Sequence, residues 1–309
     1  SKNTSAVRGS RLTTTCSGSR FMSAGTRSVK NGSIEFKTID AFTTKPFGGN
    51  PAAVILLEGK FPPSKWMARV AREMNLSETA FAVARDTPGE YDLRWLTPTV
   101  EVDLCGHATL ATAHSIFEDG GEVGPSTLKF HTRSGELVVR RTSDVSSVGE
   151  MQMVLPCAPP TEVEPSVAGA MAEALRCDLV WVGFAKGISD FVVEMKDSSM
   201  VRKFQPDFGR MAEMGGRGVI ITARSEDPRY DFESRFFGPN AGINEDPVTG
   251  SAHCALGPHW AKKLGKNQLS AYQCSDRGGT MTVCVEQEHD RVLIGGQAVT
   301  VVRGSVYGY

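Results

Sequence analysis

Two short stretches of this chain place an acid, a glycine and small polar residues in the same order. Asp103 to His114 reads D-L-C-G-H-A-T-L-A-T-A-H, and Asp246 to Leu256 reads D-P-V-T-G-S-A-H-C-A-L. Each passes through Gly, a polar residue and Ala (Gly106-His107-Ala108 and Gly250-Ser251-Ala252) into an apolar segment of helical length. That pattern predicts a turn opening a helix. A helix start presents unpaired backbone N–H groups and the positive end of the dipole, so two such corners facing each other would cradle an anionic or enolising substrate. The expected active site is a cleft between two related halves.

Around these corners the acid and base candidates are few. Glu78, in N-L-S-E-T-A-F, lies between a turn and an apolar strand, where partial burial raises a carboxyl pKa toward the range useful to a general base. The competing reading is a capping Glu at an element boundary. His107 follows Gly106 at a helix start, a position that favours neutral imidazole and suits it to hold a substrate oxygen, or alternatively to cap the helix. Asp246 completes the acid/base set or simply places a favourable charge near a helix N-terminus. Cys105 sits where a thiolate could form. A two-thiol racemase needs a second Cys facing it, and the matching stretch offers Val248 and Thr249, while Cys254 lies further along the helix and is expected to pack.

Other chemistries lack their templates. There is no G-x-S-x-G, G-x-x-x-x-G-K-[ST], H-E-x-x-H or post-strand G-x-G-x-x-G, and the six His residues are dispersed, so neither metal nor nucleotide cofactor is expected. With 34 basic against 35 acidic residues, nucleic acid is not an expected partner. No apolar run approaches the roughly 20 residues that span a bilayer. Seven cysteines without C-x-x-C spacing argue against a disulfide framework or a structural zinc site.

The elements that must position these residues alternate. Ile34 to Phe42 reads as a half-buried strand, Ala52 to Leu57 as a second, Pro63 to Met74 as a helix started by Pro62-Pro63-Ser64, and Asn75 to Thr79 as a turn entering a strand at Ala80. Tyr91 to Trp95 is a further strand. Helix Ala108 to Phe117 is followed by strands Thr127 to Thr132 and Glu136 to Arg141; helix Ala252 to Leu264 is followed by strands Leu269 to Gln273 and Thr280 to Val285. This repeated order predicts duplication. The prolines of Met153 to Thr161 suit a domain linker. The second half then offers helix Val167 to Arg176, strands Leu179 to Gly183 and Asp190 to Met195, helix Phe208 to Met214, and strands Gly218 to Thr222 and Tyr230 to Phe237.

Ser1 to Ser33 differs from the rest: Lys2, Arg8, Arg11, Arg20, Arg27 and Lys30 stand among many Ser and Thr with no acid. The composition is that of a chloroplast or mitochondrial transit peptide, or of a disordered basic tail; without an organellar address the expected location is cytoplasmic.

The chain resembles the phenazine-biosynthesis PhzF-like isomerase family, of the diaminopimelate-epimerase fold. The resemblance rests on I-D-A-F-T with F-G-G-N-P-A-A-V (39 to 54), N-L-S-E-T-A-F (75 to 81), L-T-P-T-V-E-V-D-L-C-G-H-A-T-L-A (96 to 111), R-G-V-I-I-T-A (217 to 223) and F-F-G-P-N-A-G-I-N-E-D-P-V-T-G-S-A-H (236 to 253). It implies an α/β (α+β) protein of two pseudo-symmetric halves, 34–152 and 153–309, each a curved mixed sheet around a central helix, with the last strand able to return to the first half. It also implies cofactor-free proton transfer at carbon and a homodimer. Glu78, His107 and Asp246 match catalytic positions; Asn50, Cys105, Gly106, Thr249, Gly250 and Ser251 match substrate-contacting ones.

Three functions fit these residues. The first is an isomerase moving a proton between carbons of a small carboxylate-type metabolite; the others are a non-catalytic small-molecule or protein-binding member of the same fold, and an epimerase or racemase using Cys105.

Overall fold

The computed structural model describes residues 32–120, 125–142 and 150–308. Residues 1–31 of the transit-like segment lie outside them, and Ser33 already opens the first strand. Among the described residues no helix is long and apolar enough to cross a membrane.

Among the described residues eighteen strands and six α-helices follow one another: β1 Ser33–Ala41, β2 Asn50–Leu57, α1 Ser64–Met74, β3 Glu78–Ala84, β4 Glu90–Leu96, β5 Glu101–Val102, α2 Gly106–Gly120, β6 Thr127–Thr132, β7 Gly135–Arg141, β8 Met151–Pro156, β9 Thr161–Glu162, α3 Pro165–Leu175, β10 Trp181–Ala185, β11 Asp190–Glu194, α4 Ser198–Lys203, α5 Phe208–Glu213, β12 Gly218–Arg224, β13 Phe232–Gly238, β14 Ile243–Asp246, α6 His253–Leu264, β15 Gln268–Gln273, β16 Gly279–Glu286, β17 Arg291–Gly296 and β18 Ala298–Tyr307. Pairing runs β18-β1-β2-β3-β4-β6-β7-β8 and continues as β17-β16-β15-β13-β12-β11-β10-β9. The order is the same read outward from the β8–β17 pair in either direction. Even the parallel pairs correspond, β2 with β3 and β4 with β6 against β11 with β12 and β13 with β15.

Each half of this mixed sheet holds one helix. All residues of α2 from His107 to Phe117 are buried, and it packs on β1, β2, β3, β8 and β18; α6 packs on β15, β16 and β17. A helix enclosed by a sheet has no wet face, which explains the small and apolar residues all round α2. One continuous core joins Leu110 and Ile116 of α2 to Leu256 and Trp260 of α6. By contrast α1 buries only Met67, Val70 and Ala71 on the outer sheet face, and closes on Asn75 in the left-handed conformation, whose N–H bonds the Ala71 carbonyl.

Two expectations need correction. Met153 to Thr161 is not a free linker: its first four residues complete β8, where Met153 and Leu155 are buried and the strand pairs with both β7 and β17. The prolines that suggested a linker begin only at the strand's last residue, Pro156. Glu78 does not sit in the turn but opens β3, paired in parallel with Ala52. Smaller differences fall at element ends, where pattern reading is least sharp.

Candidate active site

The two glycine corners meet. A methyl group built on Gly106 would lie 3.6 Å from Gly250 Cα and 3.2 Å from Met153 Cε, and one on Gly250 would lie 3.7 Å from Gly106 Cα. The two backbones therefore abut, with room for no more than a methyl group between them. Beneath them sits Phe42, fully buried in the left-handed conformation (φ 64°); its Cζ would lie 3.7 Å from a methyl on Gly250. The ring packs so tightly on Gly296 that a Cβ there would come within 2.5 Å of it.

Glu78, His107, Asn50, Asp246 and Thr249 converge on these corners. Glu78 Oε2 lies 3.2 Å from His107 Nε2, both side chains more than 90% buried. The two atoms are out of line for a hydrogen bond, so each is a buried polar group without a protein hydrogen-bond partner. Asn50 Nδ2 donates to Asp246 Oδ1 at 2.7 Å and to the Val248 carbonyl at 2.9 Å, and lies 3.1 Å from His107 Nδ1. Those two acceptors, which carry no hydrogen of their own, take both amide protons and fix the amide orientation. Thr249 Oγ1 donates to Asp246 Oδ2 at 2.6 Å.

Burial dominates the electrostatics. It pushes the Glu78 carboxyl up to about 8, with the Asp246 charge adding to the rise and the Cys105 thiol opposing it. Asp246 is raised by burial to about 6, restrained by hydrogen bonds from Thr249 and Asn50. Burial lowers His107 to about 3, so its imidazole is neutral at pH 7. Two carboxyl groups are thereby held at different protonation states near neutrality, Asp246 mostly ionised and Glu78 mostly neutral, an arrangement that acid/base sites use.

Cys105 is buried with its thiol pushed well above 9, first by burial and then by the Glu78 charge. It lies 3.5 Å from His107 Nδ1 and hydrogen-bonds Glu78. Its counterpart before the second corner is Thr249, whose hydroxyl is spent on Asp246, and Cys254 packs in the core with its thiol raised to about 12. Ligand-type atoms of Glu78, Cys105 and His107 lie within 4.8 Å of one another, so the trio could hold a metal ion. A thiol pushed up by burial and two acids is a poor fit, because metal ligation requires the thiolate. Cys105→Ala is expected to keep activity within about tenfold, the loss of roughly one hydrogen bond to a charged group. Steady-state kinetics would check this, and complete inactivation would restore thiol chemistry.

Several supporting residues carry no motif. Gln273 braces the Asp246 segment: its Nε2 donates to the Asp246 carbonyl at 2.7 Å, and its Oε1 accepts from Thr249 N at 2.8 Å. One signal for it was available, a polar residue on the buried side of β15 after Leu269 and Ala271. Arg277 donates to the Gly48 and Gly49 carbonyls, both at 2.9 Å, and to Asp40 at 2.8 Å, fixing the loop that delivers Asn50. Ser251 receives Arg217 Nη2 at 3.0 Å.

The phenazine biosynthesis-like protein family matches the chain over residues 39–304. An uncharacterized isomerase of Pseudomonas aeruginosa is 46% identical over 270 residues, 87% of this chain and 97% of that protein. The crystal structure of a phenazine biosynthesis protein PhzF family member from Enterococcus faecalis superposes with a TM-score of 0.80 at 40% identity, covering 89% of this chain and 99% of that one. A predicted epimerase of Pseudomonas aeruginosa shares the fold at a TM-score of 0.71 and 21% identity, with 89% of this chain and all of that one covered.

Proposed function

Since the chain belongs to the phenazine biosynthesis-like family, we propose that it is a cofactor-independent isomerase that moves a proton between carbons of a small carboxylate-bearing metabolite. One observation carries this reading: a buried carboxyl raised to about 8, lying 3.2 Å from the neutral imidazole that follows the first of two facing glycine corners. Once ionised, Glu78 is a far stronger base than an ordinary carboxylate, and it abstracts the proton from one carbon and returns it to another. The His107 imidazole and the backbone N–H groups opening the two corners hold the negative charge that develops on the substrate. Asp246 orients Asn50 and Thr249 and, through its own charge, keeps Glu78 basic.

Candidate unsaturated or amino carboxylates incubated with the protein in deuterated water test the reading. Deuterium should enter at carbon in the wild type and not in Glu78→Gln. A bound ligand with no exchange would make the chain a binding member of the fold.

The pH profile follows with a definite sign. The ionised form of Glu78 is the active one, so kcat/KM should fall about tenfold per pH unit below about 8. In Asp246→Asn the repelling charge is gone, and the limb should move to lower pH while burial keeps it above 4.5. A limb that stays at its wild-type position would separate Asp246 from the base. The same reading includes a homodimer, which sedimentation equilibrium would check.

A further inference from the structure

Both corner turns are tied down in the same way. In the first, Thr109 Oγ1 donates to the Cys105 carbonyl at 2.6 Å; in the second, His253 Nδ1 donates to the Thr249 carbonyl at 2.9 Å. Each donor stands three residues after its corner glycine, and each carbonyl one residue before it. Beyond that the halves diverge. Gln273 ends β15, is fully buried and bonds the second corner, whereas Thr132 ends the corresponding strand β6 and spends its hydroxyl on the Gly135 carbonyl at 2.7 Å. The first corner stands with no amide at that place, so the turn itself does not call for Gln273.

The Gln273 amide has one direction only. Thr249 N–H can only donate, so the atom it meets at 2.8 Å is Oε1; the Asp246 carbonyl can only accept, so the atom it meets at 2.7 Å is Nε2. The second hydrogen of Nε2 points at Thr249 Oγ1, 3.2 Å away. That oxygen already receives a hydrogen from Gln273, so its own hydrogen goes to its other neighbour, Asp246 Oδ2 at 2.6 Å. Asp246 Oδ1 accepts from Asn50 at 2.7 Å. Both carboxylate oxygens therefore face donors, an arrangement that favours the charged form of a buried acid.

We propose that Gln273 is a positioning residue: it fills the Thr249 hydroxyl oxygen from one side, commits the hydroxyl proton to Asp246 on the other, and so keeps the carboxylate of the second corner charged. The proposal rests on the isomerase reading for its use, because the Asp246 charge keeps Glu78 basic, and on the hydrogen bonds alone for its geometry. Other groups also face Asp246. Arg217 favours its charge and Glu245 opposes it, while Glu78 and Cys105 feel that charge in turn. Among the described residues none of these four side chains bonds the Gln273 amide, so a substitution at 273 leaves them in place.

Infrared difference spectra read Asp246 directly and need no substrate. In a Glu78→Gln background, subtracting the spectrum of Asp246→Asn isolates the neutral carboxylic acid at position 246, whose midpoint should lie near 6. Adding Gln273→Met, which keeps the bulk and removes the amide, should raise that midpoint by about half to one pH unit, the worth of one hydrogen bond. An unmoved midpoint would overturn the proposal. Should Gln273→Met fail to fold by circular dichroism, Thr249→Ser decides, because serine lacks the methyl group that restricts the hydroxyl. With Gln273 setting the hydroxyl's direction, the serine variant should keep its midpoint near 6. A rise of about half a pH unit in that variant would mean that threonine's own rotamer set the direction, and the proposal fails. A purely structural brace would lower kcat/KM evenly across pH. Gln273→Met should instead move the kinetic limb to lower pH, as Asp246→Asn does, and the double variant should show no further shift. A raised Asp246 midpoint with an unmoved limb leaves the assignment of Gln273 standing and contradicts the isomerase reading's link between Asp246 and the base.

Discussion

Glu78→Gln is expected to lower kcat/KM by about 10²–10⁴-fold, the range in which a positioned general base contributes, while the fold is retained. Gln keeps the shape and burial of the side chain and removes only its ability to take a proton. The substitution should also raise stability at alkaline pH, and the sign follows from linkage. Glu78 has its carboxyl raised from 4.5 to about 8 in the folded protein, so between these values the folded state binds more protons than the unfolded one. Stability contributed by this site is therefore present below pH 4.5 and declines as pH rises toward 8. A Gln at position 78 has no such slope. Thermal denaturation at pH 6 and pH 8 should show the variant gaining on the wild type at the higher pH, by on the order of 1–3 kcal/mol. A variant that melts lower at pH 8 would mean that the ionised carboxylate is stabilised by partners, which its buried and unpaired Oε2 contradicts.

Phe42→Ala should be the most destabilising single change near the site, costing about 3–5 kcal/mol as large aromatic deletions in cores do. Phe42 follows β1 in the first half, yet its ring lies against Gly250 and Gly296, and its carbonyl accepts Thr280 N at 3.0 Å. Removing the ring opens a cavity directly under the contact of the two corners, and Ala at φ 64° recovers none of the backbone cost of the left-handed pose. Equilibrium denaturation in urea would measure the loss. Activity should fall as well at temperatures where the variant is fully folded, because the corners that present the N–H groups lose their support. A loss below about 1 kcal/mol would show that the site collapses around the missing ring.

The corners were legible because a Gly followed by a small polar residue and Ala, ahead of an apolar run, has few structural meanings. Facing glycines, a carboxyl at the edge of an apolar strand and a histidine at a helix start all left local marks. What lay across the chain did not. Asn50 and Asp246 are 196 residues apart, and no spacing rule connects them. Asp190 and Arg217 likewise belong to different elements, and only the sheet register brings them together. The M-Q-M-V-L of β8 was hidden by the prolines after it, although its alternation was present in the sequence. Two-residue strands such as β5 and β9 carry no periodicity at all; β9 is defined only by its partner β10. Five of the ten residues of the long strand β18, A-V-T-V-V, offer a strand pattern, but nothing local names its partner, the first strand of the chain; its return to the first half was legible only through the family resemblance.

The protonation state of Glu78 can be followed without knowing the substrate. Infrared difference spectra between the wild type and Glu78→Gln, recorded from pH 5 to pH 10, isolate the stretch of a neutral carboxylic acid at this one position. The neutral acid should persist through pH 7 and disappear with a midpoint near 8. A carboxyl already ionised at pH 5 would contradict the account, because a base of ordinary strength in that cleft could not carry a proton between carbons.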